Sequence, residues 1–268
     1  MGLFHKKWRI ATISGFPIEV NLTFLILLGL VVLTGNILSG LWLATAVAAS
    51  VIVHELGHAL VARRLGVRIA GIEMQFFGGV AKMVTPPRSA RDEILIALAG
   101  PAVSLGIALV VIFLAVTVRS RLLMQLGITN LILGVFNLLP ALPLDGGRVY
   151  RAFRARRLGV MAATQKAVTL SKYIAIGLGV LGLVGIPGIL APSFFLAILA
   201  LMIYLMSRAE LAAAWTLHYH DTPTERIDYD ILDPAGRVIY DPRGNEGAAP
   251  DEERFNRVHR VTFRQRRW

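Results

Sequence analysis

The stretch VIVHELGHAL, residues 51 to 60, places two histidines and a glutamate inside a run that is otherwise apolar. Each ionisable side chain at such a position in a membrane span costs roughly 2.5 kcal/mol or more. On a helix, His54 and His58 lie on one face and can bind the same metal ion, and Glu55 can reach a water beside it. A structural histidine would explain one of these residues but not all three. We therefore predict a metal site.

The rest of the chain has the composition of an integral membrane protein. Its 268 residues are 55% hydrophobic and 17% charged, whereas about 25% of the residues in ordinary globular domains are charged. The apolar residues fall in long runs, as in membrane spans. The net charge of +11 lies mostly between these runs, which favours membrane orientation over nucleic-acid binding. Cysteine is absent, so a metal must be bound by histidine and carboxylate.

Six apolar runs predict an all-α fold of about six transmembrane helices. The runs cover approximately residues 20–33, 41–61, 92–118, 122–139, 167–184 and 192–207. The loops after the second and fourth runs are rich in arginine and lysine, and those after the first and fifth carry no charge. The positive-inside rule therefore predicts that both termini are cytoplasmic. We predict a multi-pass protein, in the plasma membrane, with a membrane-embedded core of residues 1–218.

Two segments outside the predicted helices differ in character. Residues 67–84 alternate in part and contain Gly78-Gly79, which indicates a short membrane-associated β-hairpin between the second and third helices. Residues 219–268 are rich in charged residues and proline, which predicts a small cytoplasmic C-terminal tail.

A third metal ligand has to come from elsewhere, because catalytic zinc sites use three protein ligands and keep a position for water. The stretch FNLLPALPLDGGR, residues 136–148, contains Asp145 directly after the fourth apolar run. An ordinary Asp-Gly turn is the alternative interpretation. The second and fourth predicted helices both run from outside to inside, so His58 and Asp145 lie toward the same membrane face. This topology favours a site made of His54, His58 and Asp145.

The two motifs together resemble the site-2 protease family of intramembrane zinc metalloproteases, over residues 8 to about 157. The matching stretches are HELGH at residues 54–58, NLLPALPLDG at 137–146, GFPIEVNLTFL at 15–25, FGGVAKM at 77–83 and AGPAVS at 99–104. The third span of the family usually carries an asparagine where this sequence has Ser104.

The resemblance implies a cofactor, a reaction and a substrate class. His54, His58 and Asp145 would bind one Zn²⁺ ion per chain, and Glu55 would be the general base. Asn137 would help to bind the substrate backbone or stabilise the oxyanion. The reaction would be hydrolysis, near the cytoplasmic face of the lipid bilayer, of a membrane protein that has a transmembrane helix. That helix has to unwind first, and the segment at residues 67–84 is expected to bind the unwound peptide by strand addition.

Two other functions would use some of the same residues. A membrane metal carrier would need the ligands but not Glu55, and would be expected to carry further ionisable residues along its other spans. An inactive relative that binds membrane partners would not need the complete set. The leading interpretation is therefore an intramembrane zinc endopeptidase, with the substrate, its access route and the oligomeric state left open.

Overall fold

The structure is a computed structural model that describes residues 7–33, 36–75, 78–185, 192–221, 229–232, 238–240 and 262–265. The chain forms two compact units, Met1–Ala214 and Trp215–Trp268. The helices are α1 (Leu22–Val32), α2 (Ile37–Arg64), α3 (Ala90–Thr117), α4 (Arg121–Asn137), α5 (Asp145–Leu158), α6 (Val160–Val184) and α7 (Phe194–Asp221). The strands are β1 (Lys7–Ile13), β2 (Phe16–Asn21), β3 (Ile69–Gln75), β4 (Gly78–Met83), β5 (Tyr229–Leu232), β6 (Val238–Tyr240) and β7 (Thr262–Gln265).

Each of the six apolar runs overlaps a helix. Within the described ranges, four helices are long and apolar enough to cross a membrane, namely α2, α3, α6 and the segment Phe194–Thr216 of α7. Two apolar helices, α1 and α4, are shorter. At about 1.5 Å per residue, α1 is roughly 16 Å long, about half the thickness of a bilayer core. The chain is thus mostly helical, with the apolar helices of an integral membrane protein.

Polar caps fix the starts of the first four helices. An asparagine or serine side chain accepts a hydrogen bond from a backbone N–H in the first turn of each, as N-cap residues usually do. These N-caps are Asn21, Asn36, Ser89 and Ser120.

The β-structure beside α2 is larger than the predicted hairpin, so the all-α class is corrected to a mostly helical fold with a small sheet. β3 and β4 are antiparallel, β2 and β3 are parallel, and β1 and β2 are antiparallel, in the order β1-β2-β3-β4. Phe16, Ile18 and Val20 are buried on one face of β2. This period of two is typical of a strand. It was hidden because the strand leads directly into an apolar helix.

One charged side chain from each strand of this sheet joins a single ionic cluster. The Lys7 and Lys82 ammonium groups lie 2.6 and 2.7 Å from the buried Glu73 carboxylate, and Lys82 also donates to Glu19 at 3.0 Å. Burial alone would raise the pKa of Glu73, but the two ammonium groups outweigh it and hold that pKa below its usual range. The cluster ties the edge strand β4 to the other three strands.

The segment that begins at Asp145 is a helix, α5, rather than the basic loop that the sequence predicted. Its first turn is buried at Asp145, Gly146 and Gly147, while most of its arginines are more exposed. Because the arginines dominate its composition, no apolar run marks this helix in the sequence. Asp145 therefore lies at the start of a helix and not in a free turn.

Most of the predicted C-terminal tail lies outside the described residues. The part that is described contains β5, β6 and β7, which form a three-stranded sheet with β5 in the centre.

Candidate metal centre

The two histidines of α2 point into the interior of the membrane unit. His54 and His58 are each 3% exposed, and the Nε2 atoms of their rings lie 3.2 Å apart. One helical turn separates the residues, so the helix itself sets this spacing. Glu55 is also buried, at 8% exposure. The apolar helix thus buries all three ionisable groups at one level.

Asp145 completes the group from the start of α5. Its Oδ2 atom lies 3.2 Å from His54 Nε2 and 3.1 Å from His58 Nε2. Tetrahedral zinc with bonds of about 2.0 to 2.1 Å keeps its ligand atoms about 3.3 to 3.4 Å apart. In the described part of the chain, these three residues are the group close enough together to hold a metal ion. Their triangle therefore fits one face of a zinc tetrahedron.

The outer nitrogens of the rings show why this triangle suits a cation. His58 Nδ1 lies 2.6 Å from the Ile96 carbonyl oxygen, which can only accept, so Nδ1 carries the proton. His54 Nδ1 lies 3.0 Å from the Ser104 hydroxyl. The neutral His58 ring therefore turns the lone pair of its Nε2 atom toward the Asp145 carboxylate, and the His54 ring does the same when its Nδ1–H donates to the Ser104 hydroxyl, which can also accept. One proton can bridge only one pair among the His54 Nε2, His58 Nε2 and Asp145 Oδ2 atoms, whereas a metal ion can bind all three atoms.

The partners of the histidines lie on one stripe of α3, which sequence reasoning missed. Ile96, Gly100 and Ser104 are spaced by four residues, so they share a face of the helix. A Cβ atom on Gly100 would lie 2.8 Å from His54 Nε2 and closer still to His58 Nε2. Only a residue without a side chain leaves room for both imidazoles. The AGPAVS stretch at residues 99–104 contains Gly100 and Ser104, but their spacing by itself does not indicate that they contact histidines on another helix.

The backbone of the edge strand β4 lies against Glu55. A Cβ atom on Gly79 would come within 2.8 Å of the Glu55 Cδ atom, and nearer to its Cγ atom. The Gly78-Gly79 pair, which the sequence marked only as a hairpin signal, is therefore adjacent to the metal centre.

Asn137 and Arg148 lie at the border of this centre. Asn137 is the last residue of α4, is half-buried, and donates from Nδ2 to the Leu133 carbonyl at 2.9 Å. The structure does not bring it into the triangle of His54, His58 and Asp145. Arg148 lies with Nη1 3.7 Å from Asp145 Oδ1, the carboxylate oxygen that does not face the histidines.

The sequence is similar to those of known proteins. The model of peptidase family M50 matches residues 42–120 and 117–181, which include the three grouped residues and Glu55. The chain is 35% identical over 211 residues to zinc metalloprotease MJ0392 of Methanocaldococcus jannaschii, covering 75% of this chain and 60% of that protein. It is 34% identical over 223 residues to the putative zinc metalloprotease Rip3 of Mycobacterium tuberculosis, covering 74% of this chain and 57% of that protein.

The fold is also similar to a solved structure. The site-2 protease from Methanocaldococcus jannaschii superposes with a TM-score of 0.62 at 32% identity, over 77% of this chain and 95% of that one. The chain spans about three fifths of the length of the curated relatives it matches.

Proposed function

This chain belongs to peptidase family M50, and from that premise we propose that it is an intramembrane zinc endopeptidase that cleaves membrane proteins near the cytoplasmic face. The observation that supports this most is the triangle of His54 Nε2, His58 Nε2 and Asp145 Oδ2, with edges of 3.1 to 3.2 Å. These three residues would hold the zinc ion. Zinc bound there would supply Lewis acidity toward a water and a peptide carbonyl.

The residues of the chain would carry the proton transfers. Glu55 follows His54 on α2, and its buried carboxylate would take a proton from the attacking water and pass it to the leaving amine. Asn137 would orient the substrate carbonyl, since its side-chain amide has two N–H groups and the bond to Leu133 uses one. The Ile96 carbonyl would keep the His58 ring in place, and the Ser104 hydroxyl would do the same for the His54 ring.

Replacing Asp145 with alanine is expected to weaken zinc binding by more than about a hundredfold. Loss of a mere outer-shell partner costs roughly ten- to a hundredfold, and Asp145 would be a direct ligand. Zinc affinity of the purified protein, measured by competition with a chelator, checks this. The matched control is Asp92→Ala, because Asp92 also lies in the first turn of a helix. Equal zinc affinity of Asp145→Ala and wild type would contradict the proposed site.

Strand addition to β4 is the proposed way in which the substrate is held. A helical substrate hides its carbonyls in hydrogen bonds and has to be extended before attack. β4 lies at the edge of the sheet, and its backbone passes beside Glu55. An extended peptide added there would run past the base. Substitution at Gly79 is not a clean test, because any side chain there would displace Glu55.

A pair of proline variants tests strand addition. Successive residues of an antiparallel strand direct their N–H groups alternately to the partner strand and away from it. Of Val80→Pro and Ala81→Pro, one therefore breaks the pairing with β3 and the other removes a donor from the free edge. The variant that keeps the unfolding temperature of the wild type is expected to cleave about tenfold more slowly, because it loses one substrate hydrogen bond. If that variant keeps full activity, strand addition to β4 is wrong.

We further propose that α1 to α4, α6 and α7 cross the plasma membrane, with the short helix α1 crossing where the bilayer is locally thinned. Both termini would be cytoplasmic, and residues 219–268 would form a cytoplasmic tail. Arg63 and Arg64 end α2, and Arg156 and Arg157 end α5, so both positions would lie on the cytoplasmic side. His58 and Asp145 would then meet near that face.

A further inference from the structure

The loop that leads into Asp145 rests on α6. Ala141 and Leu142 of this loop are fully buried. Ala141 packs against Ala175, and Leu142 packs against Ala167 and Val168. The position of Asp145 is therefore set in part by a helix that carries none of the residues grouped at the metal centre.

The contacting face of α6 is a row of small residues with one hydroxyl in its middle. Ala167, Ser171 and Ala175 are spaced by four residues, so they lie on one face, and all are buried. Ser171 Oγ accepts a hydrogen bond from the Leu142 N–H at 2.7 Å and donates one to the Ala167 carbonyl at 2.7 Å. The hydroxyl thus joins the loop backbone to the backbone of α6.

The same peptide group also lies against the first turn of α5. A Cβ atom on Gly147 would lie 2.6 Å from the Ala141 carbonyl oxygen and nearer still to the Leu142 nitrogen. The Leu142 peptide is therefore in close contact with both Gly147 and Ser171. Asp145 follows Leu142 by three residues, so a displacement of this peptide moves the carboxylate.

We propose that Ser171 is a positioning residue for Asp145, a role that rests on the proposed zinc site. Without the Ser171 hydroxyl, the buried Leu142 N–H has lost its hydrogen-bond acceptor. An unsatisfied buried donor is unfavourable, so the Leu142 peptide is expected to move. Metal sites need their ligand atoms within about 0.2 Å of the ideal distances. Ser171 therefore holds the third ligand at bonding distance from the metal without touching the metal itself.

Ser171→Ala is expected to weaken zinc affinity roughly ten- to a hundredfold, the usual effect of losing an outer-shell partner. Zinc affinity is measured on the full chain in detergent by chelator competition, and the visible spectrum of the cobalt-substituted protein reports the ligand geometry. Ser207→Ala is the matched control, because Ser207 is equally buried but bonds only to Tyr204 of its own helix among the described contacts. The control is expected to match the wild type in both measurements.

Ser171→Thr and Ser171→Val form a second pair of nearly equal shape, in which threonine has a hydroxyl where valine has a methyl group. Threonine is expected to bind zinc at least tenfold more tightly than valine and to keep the cobalt spectrum of the wild type. The test uses whichever comparison gives folded protein: Ser171→Ala against Ser207→Ala, or Ser171→Thr against Ser171→Val. Equal zinc affinities and equal cobalt spectra within that comparison overturn the positioning role. Asp145→Ala distinguishes a failure of the Ser171 role from a failure of the proposed zinc site: if that variant binds zinc like wild type, the proposed site itself is wrong, whatever Ser171 does.

Discussion

Glu55→Gln is expected to lower the rate of substrate cleavage by roughly a hundredfold to ten-thousandfold, the usual contribution of a general base, while zinc affinity stays close to that of the wild type. Glutamine has nearly the shape of glutamate, so the packing of this side chain against Gly79 is retained. What is lost is the ability to take a proton from water. The membrane proteins that accumulate uncut in cells with Glu55→Gln identify substrates, and cleavage of one of them by purified protein gives the rate.

The control and the contrary outcomes of this experiment separate the candidate functions. Glu19→Gln removes a carboxylate from the sheet, where Lys82 keeps its second partner Glu73, and should cleave as wild type does. Loss of zinc binding in Glu55→Gln would indicate that Glu55 is a metal ligand. Persistent cleavage would exclude it as the base. A wild-type protein that binds zinc but cuts no membrane protein would favour a metal carrier.

The grouping of His54, His58 and Asp145 could be predicted because two simple constraints act on it. A spacing of four residues fixes both imidazoles on one face of any helix. The predicted alternation of the apolar runs across the membrane then puts Asp145 at the same membrane face as the histidines, although it lies about ninety residues later. Neither constraint depends on the details of packing, so the sequence alone was sufficient to predict which residues the structure brings together.

The parts that could not be predicted depend on tertiary contacts. Ser104 and Ser171 look like ordinary helix serines, and only the packing of α3 and α6 shows that one meets His54 and the other meets the Leu142 N–H. The strand β2 was not predicted: only its last two residues fall in the first apolar run, residues 20–33, and its alternating buried residues lead directly into α1. The helix α5 has no apolar run, since its buried residues are mainly small.

The support around the metal centre is divided between two helices that carry none of the grouped residues. The stripe on α3 orients the imidazoles from one direction, and the row on α6 fixes the loop before Asp145 from another. Both contacts need small residues, because backbone has to come close to the group it supports. The small residues at these two contacts are therefore expected to be sensitive to substitution.

Gly100→Ala is the sharpest case of this sensitivity and is expected to abolish zinc binding, with a loss of affinity of more than about a hundredfold. The added methyl would occupy space now held by both Nε2 atoms, so either the imidazoles or α3 have to move. Loss of two ligand positions should cost more than the roughly ten- to hundredfold effect of an outer-shell change. Zinc at a hundred times its Kd stabilises the wild type by about 2.7 kcal/mol. Thermal unfolding of Gly100→Ala should show no such gain.

Gly106→Ala is the matched control, because Gly106 lies on the same helix and a Cβ atom there meets nothing within 4 Å. Glycine to alanine inside a helix is stabilising by up to about 1 kcal/mol when the site has room. Gly106→Ala should therefore unfold at the same or a higher temperature and keep its zinc-dependent gain. The contrast between the two variants assigns any loss of zinc to the contact with the histidines and not to helix stability. Wild-type zinc affinity in Gly100→Ala would show that the imidazoles do not bind the metal from the positions described.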